Sequence, residues 1–108
     1  YRYFDVTNDV SERSDELPTQ TRLFQNYPNP FNPTTNLSFV IGSRPAGSVV
    51  SLKVFDVLGR EVATIVNEEL KPGSYTRTFD GSRLASGVYF YRLETGSFSQ
   101  ARRLLLLK

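Results

Sequence analysis

The side chains able to do chemistry are few and scattered. The chain has no cysteine, histidine, methionine or tryptophan. That removes Cys/His zinc sites, Ser-His-Asp and Cys-His nucleophilic pairs, disulfides, and haem or iron–sulfur ligation by the usual side chains. Carboxylates, hydroxyls and aromatic rings remain. Glu68 and Glu69 are adjacent, so they either point to opposite faces of a strand or sit in the turn before Lys71, and in neither place do they form an acid–base pair. Asp56, Asp80 and Glu94 mark strand ends, where carboxylates suit turns. Asp5, Asn8 and Asp9 offer oxygen ligands without the spacing of a calcium loop. Asn36-Leu37-Ser38 matches a glycosylation sequon but falls inside a predicted strand. Tyr27, Tyr89, Phe90 and Tyr91 carry rings that could stack on a sugar, although most stand at core-like positions. No catalytic residue, metal site or cofactor is expected.

Size and charge narrow the field further. A chain of 108 residues supplies one small domain, whose single core can bury roughly 60 to 65% of the surface its unfolded form would expose. The longest aliphatic run, Leu104 to Leu107, is far short of the roughly 20 residues that span a bilayer, so no membrane insertion is expected. The net charge of +2 hides an asymmetry. Residues 1–20 carry Asp5, Asp9, Glu12, Asp15 and Glu16 against Arg2 and Arg13, whereas the remainder carries 11 basic and 6 acidic groups. Those cations stand singly, with only Arg102 and Arg103 adjacent, which predicts a solvated sheet surface and no nucleic-acid partner. The chain begins at Tyr1 with neither a methionine nor a signal-peptide pattern, as expected of a fragment cut from a longer protein.

Positioning falls to strands. Tyr1 to Val6 alternates like a strand and is expected to be the tail of an upstream domain, and the polar, acidic stretch that follows suits a solvated linker. The boundary is placed near Thr21, with tail and linker at 1–21 and a folded domain at 22–108. Short runs rich in β-branched and aromatic residues then recur about every ten residues, separated by Gly, Pro, Asn and Asp, without helical periodicity. Leu37, Phe39 and Ile41 alternate with polar neighbours, and so do Val50, Leu52 and Val54; a loop at Gly42 to Gly47 lies between the two runs. Asp56-Val57-Leu58-Gly59 reads as a tight turn into Arg60 to Asn67, and Lys71-Pro72-Gly73 as a turn into Ser74 to Phe79. Val88 to Glu94 is followed by a hairpin at Thr95-Gly96 and a last strand, Phe98 to Leu107. With Arg22 to Tyr27 included, the expectation is an all-β fold, a seven-stranded antiparallel immunoglobulin-like β-sandwich, with a small barrel as the alternative. Leu84-x-x-Gly87-x-Tyr89 predicts a tyrosine corner, and Tyr91 stands where immunoglobulin domains often place a cysteine.

Three segments go beyond a generic sandwich: LFQNYPNPFNPTT at 23–35, VSLKVFDVLGREV at 50–62, and GVYFYRL at 87–93 followed by RRLLLLK at 102–108. In order and spacing the chain resembles the type A C-terminal sorting domain of the type IX secretion system of Bacteroidetes and related bacteria. The resemblance covers residues 23–108. It places the family's motif positions on Asn29, Pro30, Phe31, Asn32 and Pro33, on Asp56, Gly59 and Arg60, and on Gly87, Tyr89 and Lys108. It implies a non-catalytic address at the end of a secreted cargo protein, to which it is covalently attached. The cargo would transit the periplasm, meet a translocon or shuttle, and reach the cell surface or medium, where a sortase-like peptidase removes the domain. Family members often have an apolar residue where Arg77 stands, so that strand is expected at an edge with Arg77 reaching solvent.

Each motif also has a local explanation. Asn29 to Pro33 is either a stiff recognition surface centred on Phe31 or a set of prolines pinning the first strand, with Phe31 as a plug. Asp56, Gly59 and Arg60 are either a contact for the secretion machinery or a turn in which Asp56 accepts backbone N–H groups. In the last strand Phe98, Gln100, Arg102, Leu104 and Leu106 share one face, and Ser99, Ala101, Arg103, Leu105 and Leu107 the other. A strand apolar on both faces needs cover on both. The strand is either an ordinary last strand with a bulge or, as the resemblance favours, Leu104, Leu105, Leu106, Leu107 and Lys108 are the translocon-recognition residues, taken by strand addition or in a pocket. The candidate cleavage linker is Ser11, Glu12, Arg13, Ser14, Asp15, Glu16, Leu17, Pro18, Thr19, Gln20 and Thr21. The rival functions are a retained accessory domain, similar to the hook-capping immunoglobulin-like domain, and a carbohydrate-binding module.

Overall fold

The computed structural model describes residues 20–43 and 48–108. The expectations for the 1–6 strand, the calcium oxygens, the linker as far as Thr19 and the tip of the 42–47 loop fall outside these residues. Seven strands follow in chain order: β1 (Arg22–Leu23), β2 (Thr34–Ile41), β3 (Val50–Phe55), β4 (Glu61–Glu68), β5 (Gly73–Asp80), β6 (Gly87–Thr95) and β7 (Phe98–Leu106). They form two antiparallel sheets, one ordered β1-β2-β5 and the other β4-β3-β6-β7. This is the immunoglobulin-like sandwich. The first strand is shorter than expected, reaching only Leu23 before an isolated bridge joins Tyr27 to Asn36.

Alternation in the sequence becomes the two inner faces. Leu37, Phe39 and Ile41 of one sheet meet Val50, Leu52, Val54, Tyr91, Leu93, Leu104 and Leu106 of the other, and all are fully buried. Phe39 stacks on Tyr75 with ring centroids 5.5 Å apart, and Phe31 packs tilted on Phe79 at 6.1 Å. Tyr91 is among the largest fully buried side chains and fills the position where a disulfide would stand, its hydroxyl donating to the Phe24 carbonyl at 2.6 Å. The tyrosine corner is present, with the Tyr89 hydroxyl donating to the Ala85 carbonyl at 2.7 Å.

The four sheet edges are treated differently. β1 is two residues long, and β4 carries register shifts opposite Leu52/Lys53 and Val54/Phe55, which bend an edge away from further pairing. β5 pairs regularly with β2 over its whole length and leaves its other side open. Arg77 sits at this edge as expected, but on the inward-facing set, half-buried with its guanidinium 5.5 Å from the centre of the Tyr75 ring. The edge of β7 is covered by the chain's own proline-rich segment.

Candidate functional site

At the turn after β3, one carboxylate organises five residues. Asp56 Oδ1 accepts the backbone N–H of Leu58 at 2.9 Å and of Arg60 at 3.0 Å, and Oδ2 accepts Arg60 Nε at 2.8 Å. The Gly59 N–H closes the turn onto the Asp56 carbonyl, with φ at 84°, a left-handed value that glycine adopts without a Cβ clash. These bonds hold the Asp56 carboxyl below its usual range, the backbone N–H of Arg60 contributing most. Asp56, Gly59 and Arg60 are thus bonded to one another as a local turn. Its outward projections are Val57 and Leu58, 67% and 74% exposed.

The proline-rich segment lies along β7. The Gln25 amide donates to the Arg103 carbonyl at 2.7 Å, and Asn29 Oδ1 accepts the Leu105 N–H at 3.0 Å. The Phe31 N–H donates to the Leu105 carbonyl and the Leu107 N–H to the Phe31 carbonyl, both at 3.0 Å, a parallel bridge centred on Leu106. Nearer the other end of β7, Arg102 Nε donates to the Leu23 carbonyl at 2.7 Å, and the Leu23 N–H reaches the Gln100 side chain at 3.3 Å. Phe31 itself is 2% exposed, whereas Asn29, Pro30, Asn32 and Pro33 lie on the surface. The peptides before Pro28, Pro30 and Pro33 are cis. A buried cluster fixes the segment from the other side: Asn26 Nδ2 donates to Thr35 Oγ1 at 3.0 Å, and Thr35 Oγ1 donates to the Pro28 carbonyl at 2.8 Å. Neither Asn26 nor Thr35 stood out in the sequence. An Asn immediately before Tyr-Pro and a Thr at an inward-facing strand position were the available signals.

The end of the chain divides by face. Leu104 and Leu106 are fully buried in the core, Leu105 is half-buried on the outer face, and Leu107 is 48% exposed. Lys108 is exposed, its N–H on Ser86 Oγ at 3.0 Å and its ammonium on the Ser82 carbonyl at 2.6 Å. An added strand would meet an edge whose outward groups at Arg103, Leu105 and Leu107 are already bonded to Gln25, Asn29 and Phe31.

The motif positions nevertheless come together. Gly87 pairs with Leu106 and Val88 with Leu105. A pocket of about 290 Å³ is lined by Asn29, Pro30, Val88, Arg103, Leu104 and Leu105. Beside it, residues 56–58 and Arg60 face Ser86, Gly87, Val88 and Tyr89 across a second pocket of about 270 Å³. Val88 belongs to both, so three stretches far apart in the chain share one end of the sandwich. Tyr89 and Tyr91 are buried with their hydroxyls bonded inward, and the exposed rings Tyr27 and Phe90 belong to different sheets, so these four rings do not form one sugar-stacking platform. Asn36 is exposed but bonded to Thr78 Oγ1, with Leu37 of the sequon buried. No cluster of metal-ligating side chains occurs among the described residues.

A family model described as the secretion system C-terminal sorting domain matches residues 25–107. Comparison with curated proteins gave no match.

Proposed function

Because the chain belongs to the family of C-terminal sorting domains of the type IX secretion system, and so carries a sorting signal for a secreted or cell-surface cargo, we propose that residues 22–108 act as the folded address and residues 1–21 as the tether to that cargo. The address performs no chemistry. Its reader is the outer-membrane translocon or its shuttle, and a sortase-like peptidase then cuts within Ser11 to Thr21, after transit of the periplasm.

The observation that carries this reading is the family match over residues 25–107, which hold six of the seven strands, with Leu107 and Lys108 exposed and Leu105 half-exposed at the end where the motif positions meet. The reader takes these three side chains in the folded state. Leu104 and Leu106 act indirectly, by anchoring the strand that presents them.

This division sets the experiment. Deleting Leu104 to Lys108 would remove two core side chains and confuse unfolding with loss of the signal. Replacing Leu107 and Lys108 by serine keeps the core and the Leu107 N–H bond to the Phe31 carbonyl, so a cargo fusion should keep its melting temperature yet accumulate in the periplasm of a host with a type IX system. Normal surface display of that fusion would refute terminal recognition. Mass spectrometry of the exported full-length fusion should find a mature end between residues 11 and 21; retention through Lys108 would favour the accessory-domain role instead.

A further inference from the structure

The outer face of the four-stranded sheet changes character along its length. Near the β6–β7 hairpin it is polar, with Ser51, Glu94 and Ser99 in one cross-strand row. Toward the opposite end the rows read Thr64, Lys53, Arg92, Ala101, then Glu61, Phe55, Phe90, Arg103, then Val88 beside Leu105, with Glu61 paired to Lys53 at 3.4 Å. Phe55 and Phe90 are direct cross-strand partners on the solvent side, in a sheet whose inner face already supplies the core. Phe90 is 37% exposed, and the Val57–Leu58 tip projects at the end of the same rows. A pocket of about 300 Å³ opens between the two rings and the turn, lined by Phe55, Asp56, Val57, Gly59, Phe90, Arg92 and Ala101.

From this arrangement we infer a second docking surface, which adjoins Leu105 on the same face: the outer face takes an acidic protein segment of the export machinery, which inserts one apolar side chain into the pocket between Phe55 and Phe90. The inference rests on the sorting role proposed above.

Charge chooses the occupant. The guanidinium of Arg92 lies 4.6 Å from the centre of the Phe55 ring, and its only carboxylate partner among the described residues is Glu94 at 3.3 Å. Arg103, in the row of the two phenylalanines, has no carboxylate partner among those residues. Two copies of this face would bring Arg92 and Arg103 of each against those of the other, on bodies that each carry 11 basic and 6 acidic groups in residues 21–108. The carboxylates on this side, Asp56 in the pocket wall and Glu61 opposite Phe55, are bonded to Arg60 and Lys53. A ring-walled pocket with Arg92 in its lining and Arg103 beside Phe90 therefore suits a protruding side chain between carboxylates better than a flat anionic bilayer.

The test fuses a folded reporter cargo to the full chain in a type IX-competent host and compares Phe90→Ser, Arg103→Glu and Arg103→Lys with the unmodified fusion. Ser99→Asp, at the polar end of the same face, serves as control. Phe90→Ser and Arg103→Glu should keep the wild-type melting temperature and lower export at least tenfold, while Arg103→Lys and Ser99→Asp are exported normally. Normal export of both Phe90→Ser and Arg103→Glu overturns the inference. If the unmodified fusion itself stays in the periplasm, the sorting role fails rather than the surface. Flotation with anionic phospholipid vesicles, or self-association in sedimentation, overturns it if either is lost on Phe90→Ser, since the occupant would then be lipid or a second copy. Amide shifts at Phe90 and Arg103 on removal of residues 1–19 would assign the face to the chain's own acidic lead-in.

Discussion

Single atoms decide how this domain closes without a disulfide. Tyr91 takes the cysteine's place by volume and by one bond to the Phe24 carbonyl, and burial pushes its hydroxyl up to about 12 from the ordinary 10.0. Tyr91→Phe should therefore cost about 1–2 kcal/mol in urea unfolding, the loss of a buried hydrogen bond. The sign of the pH effect follows from the raised value. Stability present below pH 10 is lost as pH rises from 10 toward about 12, and a thermal-melt series should show this decline reduced in the Phe variant. The turn carboxylate behaves oppositely. Asp56 is held below its usual range, so its contribution is present above the unfolded-state value near 4 and is lost as pH falls through the lower folded-state value. Asp56→Asn should flatten the acid limb of the stability curve, and a slope equal to wild type would show that the turn is not coupled to folding. Both residues were visible in the sequence for local reasons: one is a large ring at an inward-facing position, the other an Asp ahead of a Gly turn.

At the level of elements, alternation identifies strands and faces but not what lies across an edge. The inward sets of β2, β3, β6 and β7 match their sequence patterns because side-chain direction has a period of two. The last strand divides into the two faces expected of it. Its cover was not legible, since the bonds from Asn29 and Phe31 join residues about 75 positions apart and no local pattern encodes them. Phe31 is thus buried, tilted on Phe79, with its backbone bonded to the last strand. Gly81 shows how tightly this corner is filled, because a Cβ added there would lie 3.2 Å from Leu106 and 3.4 Å from Phe31. Phe31→Ala should lose about 3–5 kcal/mol, the cost of emptying a buried aromatic site. Hydrogen exchange at the Leu107 amide should speed up in step, and unchanged protection there would mean that the segment stays in place without its anchor. The outward Phe55 and Phe90 carried a faint signal, since each stands out of phase with the buried residues of its own strand.

Taken as one molecule, the described body is basic, and the acidic lead-in of opposite charge precedes it. The hydrogen bond from Gly42 to Thr21 Oγ1 is the earliest in the chain among the described residues. A chain starting at Gln20 should accordingly melt within about 4 °C of the full chain, a shift corresponding to less than about 1 kcal/mol for a domain of this size. A larger drop would place part of the lead-in within the folded unit and move the boundary upstream. The charge asymmetry was readable from composition and the strand count from alternation and turn spacing, whereas the meeting of three distant motifs at one end needed the sheet order.

The bridge between Phe31 and the last strand also bears on synthesis. A chain interrupted before Phe98 has its proline-rich segment but nothing for it to close upon, and the inner face of the four-stranded sheet lacks Leu104 and Leu106. Since domains emerge from the ribosome amino end first and long-range pairings form late, this sandwich forms only on a molecule translated past its seventh strand. A domain built this way is complete only once its last strand is made, so its fold itself reports that the ribosome has passed Leu106.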